Sequence, residues 1–224
     1  MTKHLSEAER RAQILTAARD EFIEHGYAET RVGDVAKRAE LSKGAVYFYY
    51  PSKRDLFMAL VLAEHEATYA FLDSAEHDEM PALFKLLRVG WEYLEFFAGK
   101  QQPPRFFLMM TEAATRDEEI RTECRALHQR FVDAATRILT QGVEEGAFRP
   151  MDPGAVARML KAMIDGFGGH AAIEVGPDAS DMANEGFRTV LKGILADPGQ
   201  ADLFMEAAMT ARDLGLRASG ARQG

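Results

Sequence analysis

The chain has 224 residues, of which 47% are hydrophobic and 28% charged, and its formal net charge is −8. This balance is typical of a folded globular protein, no apolar run approaches the roughly 18 residues of a membrane span, and the first residues lack the apolar stretch of a secretory leader. The single cysteine, Cys124, excludes an internal disulfide and a multi-cysteine metal site, so we expect a cytoplasmic protein without membrane attachment.

Helical periodicity and capping residues predict a first helix near the amino terminus. Ser6 and Glu9 have the spacing of a capping box, in which each side chain accepts from the other residue's backbone amide. Apolar residues follow on one stripe from Ile14 to Phe22. The helix is predicted to stop near His25, with Gly26 just beyond its end.

Two short helices are predicted next. Thr30 is the expected N-cap of a helix that runs to Ala39, and Ser42 is the expected N-cap of a helix from Lys43 to the residue before Pro51. Longer helices are predicted near 53–75, 81–98, 104–114, 117–145, 153–174, 180–196 and 200–214. Few β-branched stretches alternate as strands do, so the sequence predicts an all-α fold.

The short helices and the three-residue connection between them have the form of a helix-turn-helix. Val46 and Tyr50 can pack inward, which leaves Lys43 and its small neighbours Gly44 and Ala45 on the outer surface. Residues 1–55 carry ten Lys/Arg against nine Asp/Glu, whereas the remaining 169 residues carry 17 against 26. An acidic chain with a near-neutral amino-terminal segment can still gather basic residues on one face that binds DNA.

Four consecutive aromatic residues, Tyr47 to Tyr50, form the end of the third helix. They span more than half of a helix circumference, so they cannot all be buried against the same core. A core-packing cluster is one interpretation. The alternative is that at least one or two of the rings are exposed beside lysines and contact a partner.

The sequence of this segment resembles the DNA-binding domain of the tetracycline-repressor (TetR) family. The resemblance is carried by TRVGDVA at 30–36 and LSKGAVYFYYPSKRDL at 41–56, with ILTAA at 14–18, Phe22 and Gly26-Tyr27 upstream. It covers about residues 8–60. The chain departs from the usual pattern at Tyr49, where many members have histidine, and at Tyr50, where phenylalanine is usual.

The resemblance implies two sets of DNA contacts. The resemblance places backbone phosphate contacts at Thr30, Tyr47, Tyr49 and Lys53, and groove contacts at Ser42, Lys43, Gly44, Ala45 and Phe48. It also implies an amino-terminal three-helix helix-turn-helix domain over residues 1–52. A helical body that binds a small-molecule effector and forms a homodimer would follow over 53–216. Apart from the resemblance, the residues from Arg217 onward are small and polar and predict a flexible tail at 217–224.

The predicted body is rich in aromatic residues and methionine, which line adaptable cavities as well as ordinary cores. We expect an apolar or amphipathic effector to contact Trp91, Phe107, Met110, Phe131, Met163 and Phe167. We expect the homodimer to form through apolar stripes of two helices. These stripes are Ala157, Leu160, Ile164 and Gly168 near 153–174, and Phe187, Val190, Leu191 and Ile194 near 180–196.

Other motifs carry weaker signals. Gly166-Phe167-Gly168-Gly169 follows no predicted strand and matches no nucleotide-binding spacing. The histidines show no metal-ligand spacing, no catalytic set stands out, and we expect neither a metal nor another cofactor. Arg121 and Arg125 could lower the pKa of Cys124, so a thiol sensor is one interpretation and an inert half-buried cysteine the other.

The sequence thus predicts a ligand-responsive transcriptional regulator, expected to act as a repressor on a palindromic DNA operator, and not an enzyme. Two alternatives remain: an enzyme with a helical active-site cavity, and a helix-turn-helix adaptor that binds protein. A salt-dependent shift with duplex DNA would separate the three.

Overall fold

A computed structural model describes residues 5–77, 79–98, 104–173 and 179–213. Within these ranges the regular elements are ten α-helices and one 3₁₀ turn at Pro198–Gln200, which confirms the predicted all-α fold. The helices are α1 (Glu7–Glu29), α2 (Val32–Arg38), α3 (Lys43–Tyr49), α4 (Lys53–His77), α5 (Ala82–Ala98), α6 (Pro104–Arg116), α7 (Glu118–Glu144), α8 (Pro153–Ala172), α9 (Ala179–Ile194) and α10 (Ala201–Asp213). None of the described helices is long and apolar enough to cross a membrane.

The start of α1 follows the predicted capping box. The Glu9 amide donates to Ser6 Oγ at 3.2 Å, and the Ser6 amide donates to the Glu9 carboxylate at 2.7 Å. Helical geometry is interrupted at Gly26, whose φ of +78° favours glycine, and one further turn runs to Glu29. Gly26 therefore interrupts the helix as predicted. The helical turn that follows Gly26 was not predicted.

The predicted cap of α2 is wrong. Arg31, not Thr30, occupies the N-cap position, and it provides no side-chain cap. Thr30 instead closes α1. Its hydroxyl lies 2.7 Å from the Gly26 carbonyl oxygen and 3.1 Å from that of Glu21, and the residue is buried. Thr30 thus lies one residue before the N-cap of α2, and its hydroxyl donates to carbonyls of the preceding helix.

The chain divides into two compact units. We call Met1–Ala67 with Gln102–Leu127 the head, and Thr68–Gln101 with His128–Gly224 the body. Apolar residues of α4 (Leu56, Phe57, Leu60, Val61) and of α6 (Phe106, Met109, Ala113) complete the core built by α1, α2 and α3. The packing thus extends the head beyond the boundary predicted after residue 52.

The body is built on close helix contacts. The ring of Phe187 on α9 packs against Gly90 of α5 so closely that a Cβ atom there would lie 2.6 Å from the ring. At the other end, Phe148 and Leu195 form an isolated antiparallel bridge between the segments that follow α7 and α9. A side chain at Gly90 would therefore force the Phe187 ring to move.

The stripes predicted to join two subunits lie inside a single chain. Seven of the eight predicted residues are buried in the body: Ala157, Leu160, Gly168, Phe187, Val190, Leu191 and Ile194. Ile164 is half-buried. The prediction that these faces form the dimer interface is therefore wrong, because α8 and α9 direct them into the core of their own chain.

Candidate nucleic-acid interface

The connection between α2 and α3 is a tight helix-ending turn. The Leu41 amide donates to the Ala36 carbonyl at 2.8 Å, and the Glu40 amide donates to the Lys37 carbonyl at 3.1 Å. This is the hydrogen-bond pattern of a Schellman motif, which requires a left-handed residue after the helix. That residue is Glu40, with φ of +55°.

The first turn of α3 is held by its predicted cap. Ser42 Oγ accepts from the Ala45 amide at 3.1 Å. Val46 and Tyr50 are buried in the head core with Val35 and Ala39, as the sequence predicted. The inner face of α3 is thereby fixed against α2.

The outer face of α3 is exposed. Lys43, Gly44, Tyr47 and Phe48 lie on it, and Ala45 is half-buried beside them. Phe48 is 81% exposed and Tyr47 39% exposed. The prediction that the four aromatic residues cannot all be buried is therefore confirmed, because only Tyr50 reaches the core fully.

Arg11 of α1 contacts Tyr49 at the end of α3 and Tyr50 just beyond it, a contact that was not predicted. Its guanidinium lies 5.4 Å from the ring centroid of Tyr49 and 5.6 Å from that of Tyr50. Glu7 accepts from Arg11 Nε at 3.0 Å and steadies the guanidinium. These cation–π contacts join residues far apart in the sequence, so local periodicity gave no sign of them.

Lys53 was expected at a DNA phosphate, but its side chain is engaged inside the head. The ammonium donates to three carbonyls at the end of α1: those of Tyr27 at 2.8 Å, Ala28 at 3.0 Å and Thr30 at 3.2 Å. It also lies 4.7 Å from the centroid of the Tyr27 ring. Burial lowers the pKa of Lys53 from its ordinary value, against the opposing charge of Glu29.

Thr30 and Lys53 thus stabilise the end of α1 in this structure. The Thr30 hydroxyl is buried and bonded within its own chain, and the Lys53 ammonium lies against helix-terminal carbonyls, the position in which a cation is favoured. The phosphate contacts predicted for these two side chains stay predictions, and they are left out of the interface proposed below. The other predicted DNA contacts lie on α3 or at its cap.

Two arginines of the head are used in ion pairs between its helices. Arg38 at the end of α2 donates to Glu21 and Glu24 of α1, each at 2.6 Å. Arg54 at the start of α4 pairs with Asp117 at 3.3 Å and with Glu119. These pairs hold α2 and α4 in the head, and their cations are already neutralised by carboxylates.

The predicted effector residues are divided between the two units. Met110 packs against the head core, whereas Phe131, Met163 and Phe167 belong to the body. The Lys161 ammonium lies 5.9 Å from the Phe131 ring, which is buried. Trp91 and Phe107 fall on α5 and α6, but their side chains lie outside the described residues.

Cys124 is a half-buried residue at the edge of the head core. Burial raises the pKa of its thiol above the ordinary value, and the negative charge of Glu123 raises it further. Arg121 and Arg125 therefore do not activate the sulfur as one interpretation supposed. A raised pKa favours the inert cysteine.

Two family models match the greater part of this chain. Residues 14–60 match the model for bacterial regulatory proteins of the tetR family, and residues 85–196 match the model for the C-terminal region of BetI-type transcriptional repressors. The chain is also 31% identical over 191 residues to the uncharacterized HTH-type transcriptional regulator YfiR of Bacillus subtilis, covering 83% of this chain and 92% of YfiR. The chain belongs to the TetR family.

Solved TetR-like structures share its fold. SmeT, the repressor of the Stenotrophomonas maltophilia multidrug efflux pump SmeDEF, superposes with a TM-score of 0.70 at 24% identity, covering 84% of this chain and 91% of SmeT. SmeT has also been solved with triclosan. A Saccharomonospora viridis regulator in complex with choline gives a TM-score of 0.70 at 21% identity, covering 84% of this chain and 99% of that one.

Membership of the TetR family confirms the resemblance found in the sequence. The chain is a helix-turn-helix transcriptional regulator that binds DNA, and it is not an enzyme. The enzymatic alternative is thereby excluded. The geometry of α3 agrees with this function, because its fixed inner face leaves an outer face free of the head core.

Proposed function

We propose that this TetR-family protein is a cytoplasmic, ligand-responsive repressor that binds a palindromic operator as a homodimer. A small apolar or amphipathic effector releases it from DNA. The observation that carries this proposal is the outer face of α3, where Lys43, Gly44, Tyr47 and Phe48 are exposed on a helix fixed from within. A helix of this kind enters the major groove when the protein docks.

Seven of the nine predicted DNA contacts remain in the proposal. They lie on α3 or at its cap: Ser42, Lys43, Gly44, Ala45, Tyr47, Phe48 and Tyr49. Lys43 supplies the positive charge, and its ammonium lies 5.6 Å from the Tyr47 ring on the same flank of the helix. A charge on the flank of α3 suits a phosphate or a guanine edge at the side of the groove.

The test is selection of duplex DNA by the full-length protein from a random pool, followed by affinity measurements over a range of salt concentrations. Lys43→Ala should reduce the salt slope by about one unit. Lys192→Ala, the same change on α9 of the body, serves as the matched control and should leave the slope unchanged. Failure to enrich any sequence over bulk DNA would refute specific DNA binding.

A different face of α8 is proposed as the dimer interface. Opposite its buried face, α8 presents an uncharged stripe made of Ala155, Met159, Ala162 and Gly166, which Ile173 continues just beyond the helix. Met159 is 49% exposed and Ile173 61% exposed, and a Cβ added at Gly166 would meet nothing of its own chain within 4 Å. Small residues on such a stripe let a second copy of α8 approach closely.

A charged substitution on this stripe should separate the subunits. Ala162→Arg is expected to give a folded monomer that binds the selected operator at least tenfold more weakly, because one head cannot span two half-sites. Ala12→Arg, the same change at an exposed position of α1, should remain dimeric. Sedimentation equilibrium distinguishes the two, and a dimeric Ala162→Arg protein would place the interface elsewhere.

The effector is proposed to bind in the body beside Phe131, Met163 and Phe167, and Trp91 remains in this proposed set. Met110 is left out because it belongs to the head core, and Phe107 is left out with it because α6 lies within the head. The triclosan complex of SmeT supports an apolar ligand class. Methionine and aromatic side chains adapt to such ligands.

Binding linkage provides the test of induction. A thermal-shift screen with apolar amines, phenols and fatty acids identifies a ligand, which is then titrated into the protein with and without operator. If the ligand is an inducer, operator must lower the affinity of the protein for the ligand by the same factor by which the ligand lowers its affinity for operator. Equal affinities in the two titrations would show that the compound is not an inducer, and a screen without any stabilising compound would count against this ligand class.

A further inference from the structure

The outermost line of α3 carries one large side chain. At about 100° per residue, Gly44 and Phe48 lie one turn apart on the side directly opposite the buried Val46. A Cβ placed on Gly44 would meet only Ser42 Oγ, at 3.9 Å. Phe48 is 81% exposed, so a large apolar side chain stands in solvent on the outermost line of α3.

The polar groups of α3 are placed beside this line rather than on it. Lys43 and Tyr47 share one flank, where their side chains contact each other at 5.6 Å, and Ala45 lies on the other flank. The outermost line consequently presents an aromatic ring and bare helix backbone. It offers no side chain that can hydrogen-bond a base.

The ring of Phe48 contacts a second aromatic residue of α3. It packs edge-on against Tyr49, with ring centroids 5.1 Å apart and an interplanar angle of 89°. Tyr49 is in turn covered by the guanidinium of Arg11. A ring held in this way loses little conformational freedom when it binds.

The edges of the bases in the major groove offer one apolar group, the C5 methyl of thymine. We propose that Phe48 is a specificity-determining residue that contacts a thymine methyl in each operator half-site. The inference rests on the proposed operator binding, and it identifies the thymine methyl as the group that the outermost line of α3 recognises. A phenylalanine ring has no hydrogen-bonding group with which to discriminate among the polar groups of the other base edges.

The experiment uses the full-length protein and the operator that it selects from random duplex DNA. Each thymine is replaced in turn by deoxyuridine, which removes the methyl group alone. For the wild-type protein, at least one replacement per half-site should weaken binding by about fourfold, the change that corresponds to one buried methyl group. Phe48→Ala should bind the unmodified operator more weakly and be insensitive to that same replacement.

A second arm restores the methyl on a different base. Cytosine is placed at the sensitive position with and without a 5-methyl group, and wild type should prefer the methylated form while Phe48→Ala should not. Phe84→Ala, the same change at an exposed phenylalanine of the body, is the matched control and should keep the full methyl dependence. Because Phe48 is exposed, Phe48→Ala should have the same Tm as the wild type, and thermal unfolding of the same samples checks this.

The outcomes separate the inference from the function on which it rests. If the wild type selects an operator but no thymine methyl is coupled to Phe48, or if the operator has no thymine within its half-sites, the assignment of Phe48 is overturned. If Phe48→Ala retains the same uridine sensitivity, another residue reads the methyl. If no DNA is selected at all, the proposed function fails, and the inference fails with it.

Discussion

Replacing Glu40 by glycine is expected to stabilise the head. Glu40 has φ of +55° in the turn between α2 and α3, a left-handed conformation that side chains with a Cβ adopt at a cost. The turn itself is well bonded, since the Leu41 and Glu40 amides both donate to carbonyls of α2. The strain therefore resides in the residue type and not in the hydrogen bonding.

The size of the effect follows from two opposing terms. The left-handed conformation costs about 1–2 kcal/mol for a residue with a Cβ, and glycine removes that cost. Glycine also gains more freedom in the unfolded chain, which offsets about 0.5–1 kcal/mol. The net expectation is a gain of about 0.5–1 kcal/mol in the free energy of unfolding, or roughly 1–4 °C in Tm for a chain of this size.

Urea unfolding followed by circular dichroism measures the overall gain, and hydrogen exchange at the Leu41 amide measures it locally. Glu40→Ala is the control, because it removes the carboxylate but keeps the Cβ. It should remain within about 0.5 kcal/mol of wild type.

Two results would refute this reasoning. If Glu40→Ala gained as much stability as Glu40→Gly, the carboxylate and not the backbone would be the source of strain. If Glu40→Gly lost stability, the left-handed turn would not be the resting conformation of the link between the two helices.

Three further outcomes are expected. Ser42→Ala should lower the free energy of unfolding, measured in urea, by about 1 kcal/mol, because it removes the cap at the Ala45 amide. Ser42→Asp should retain most of the stability that the cap provides. Lys53→Ala should destabilise the head by about 1–2 kcal/mol, since three carbonyls lose a half-buried cation that donates to them. In contrast to Lys43→Ala, it should leave the salt slope of DNA binding unchanged. Because the pKa of Cys124 is raised, its alkylation by iodoacetamide at pH 7.5 should be slower than that of free cysteine, and an equal or faster rate would restore the thiol sensor.

Local signals in the sequence predicted local structure well. The capping residues Ser6 and Ser42 occur where expected, and α8 begins at Pro153, where a helix was predicted. The inward packing of Val46 also followed from its spacing. Each of these features depends on residues within one or two helical turns, so the sequence contains all of the information that they need.

Contacts between distant segments were beyond such reasoning. Lys53 reaches the carbonyl of Tyr27 across 26 positions, and Arg11 covers Tyr49 from another helix. The stripes of α8 and α9 illustrate the same limit. A periodic apolar pattern identifies a face that is buried, but it does not identify what covers that face, and α8 carries small or apolar residues on opposite sides.

The way in which α6 completes the head core has a consequence for building hybrid regulators. An excised fragment of residues 1–52 would lack Phe57 of α4 and Phe106 of α6, whose rings pack with centroids 6.1 Å apart in that core. A chimera that transfers this DNA specificity to another sensor should carry Met1–Ala67 together with Gln102–Leu127, with junctions inside α4 and α7. A graft made only at the end of the recognition motif would leave an apolar surface open and aggregate.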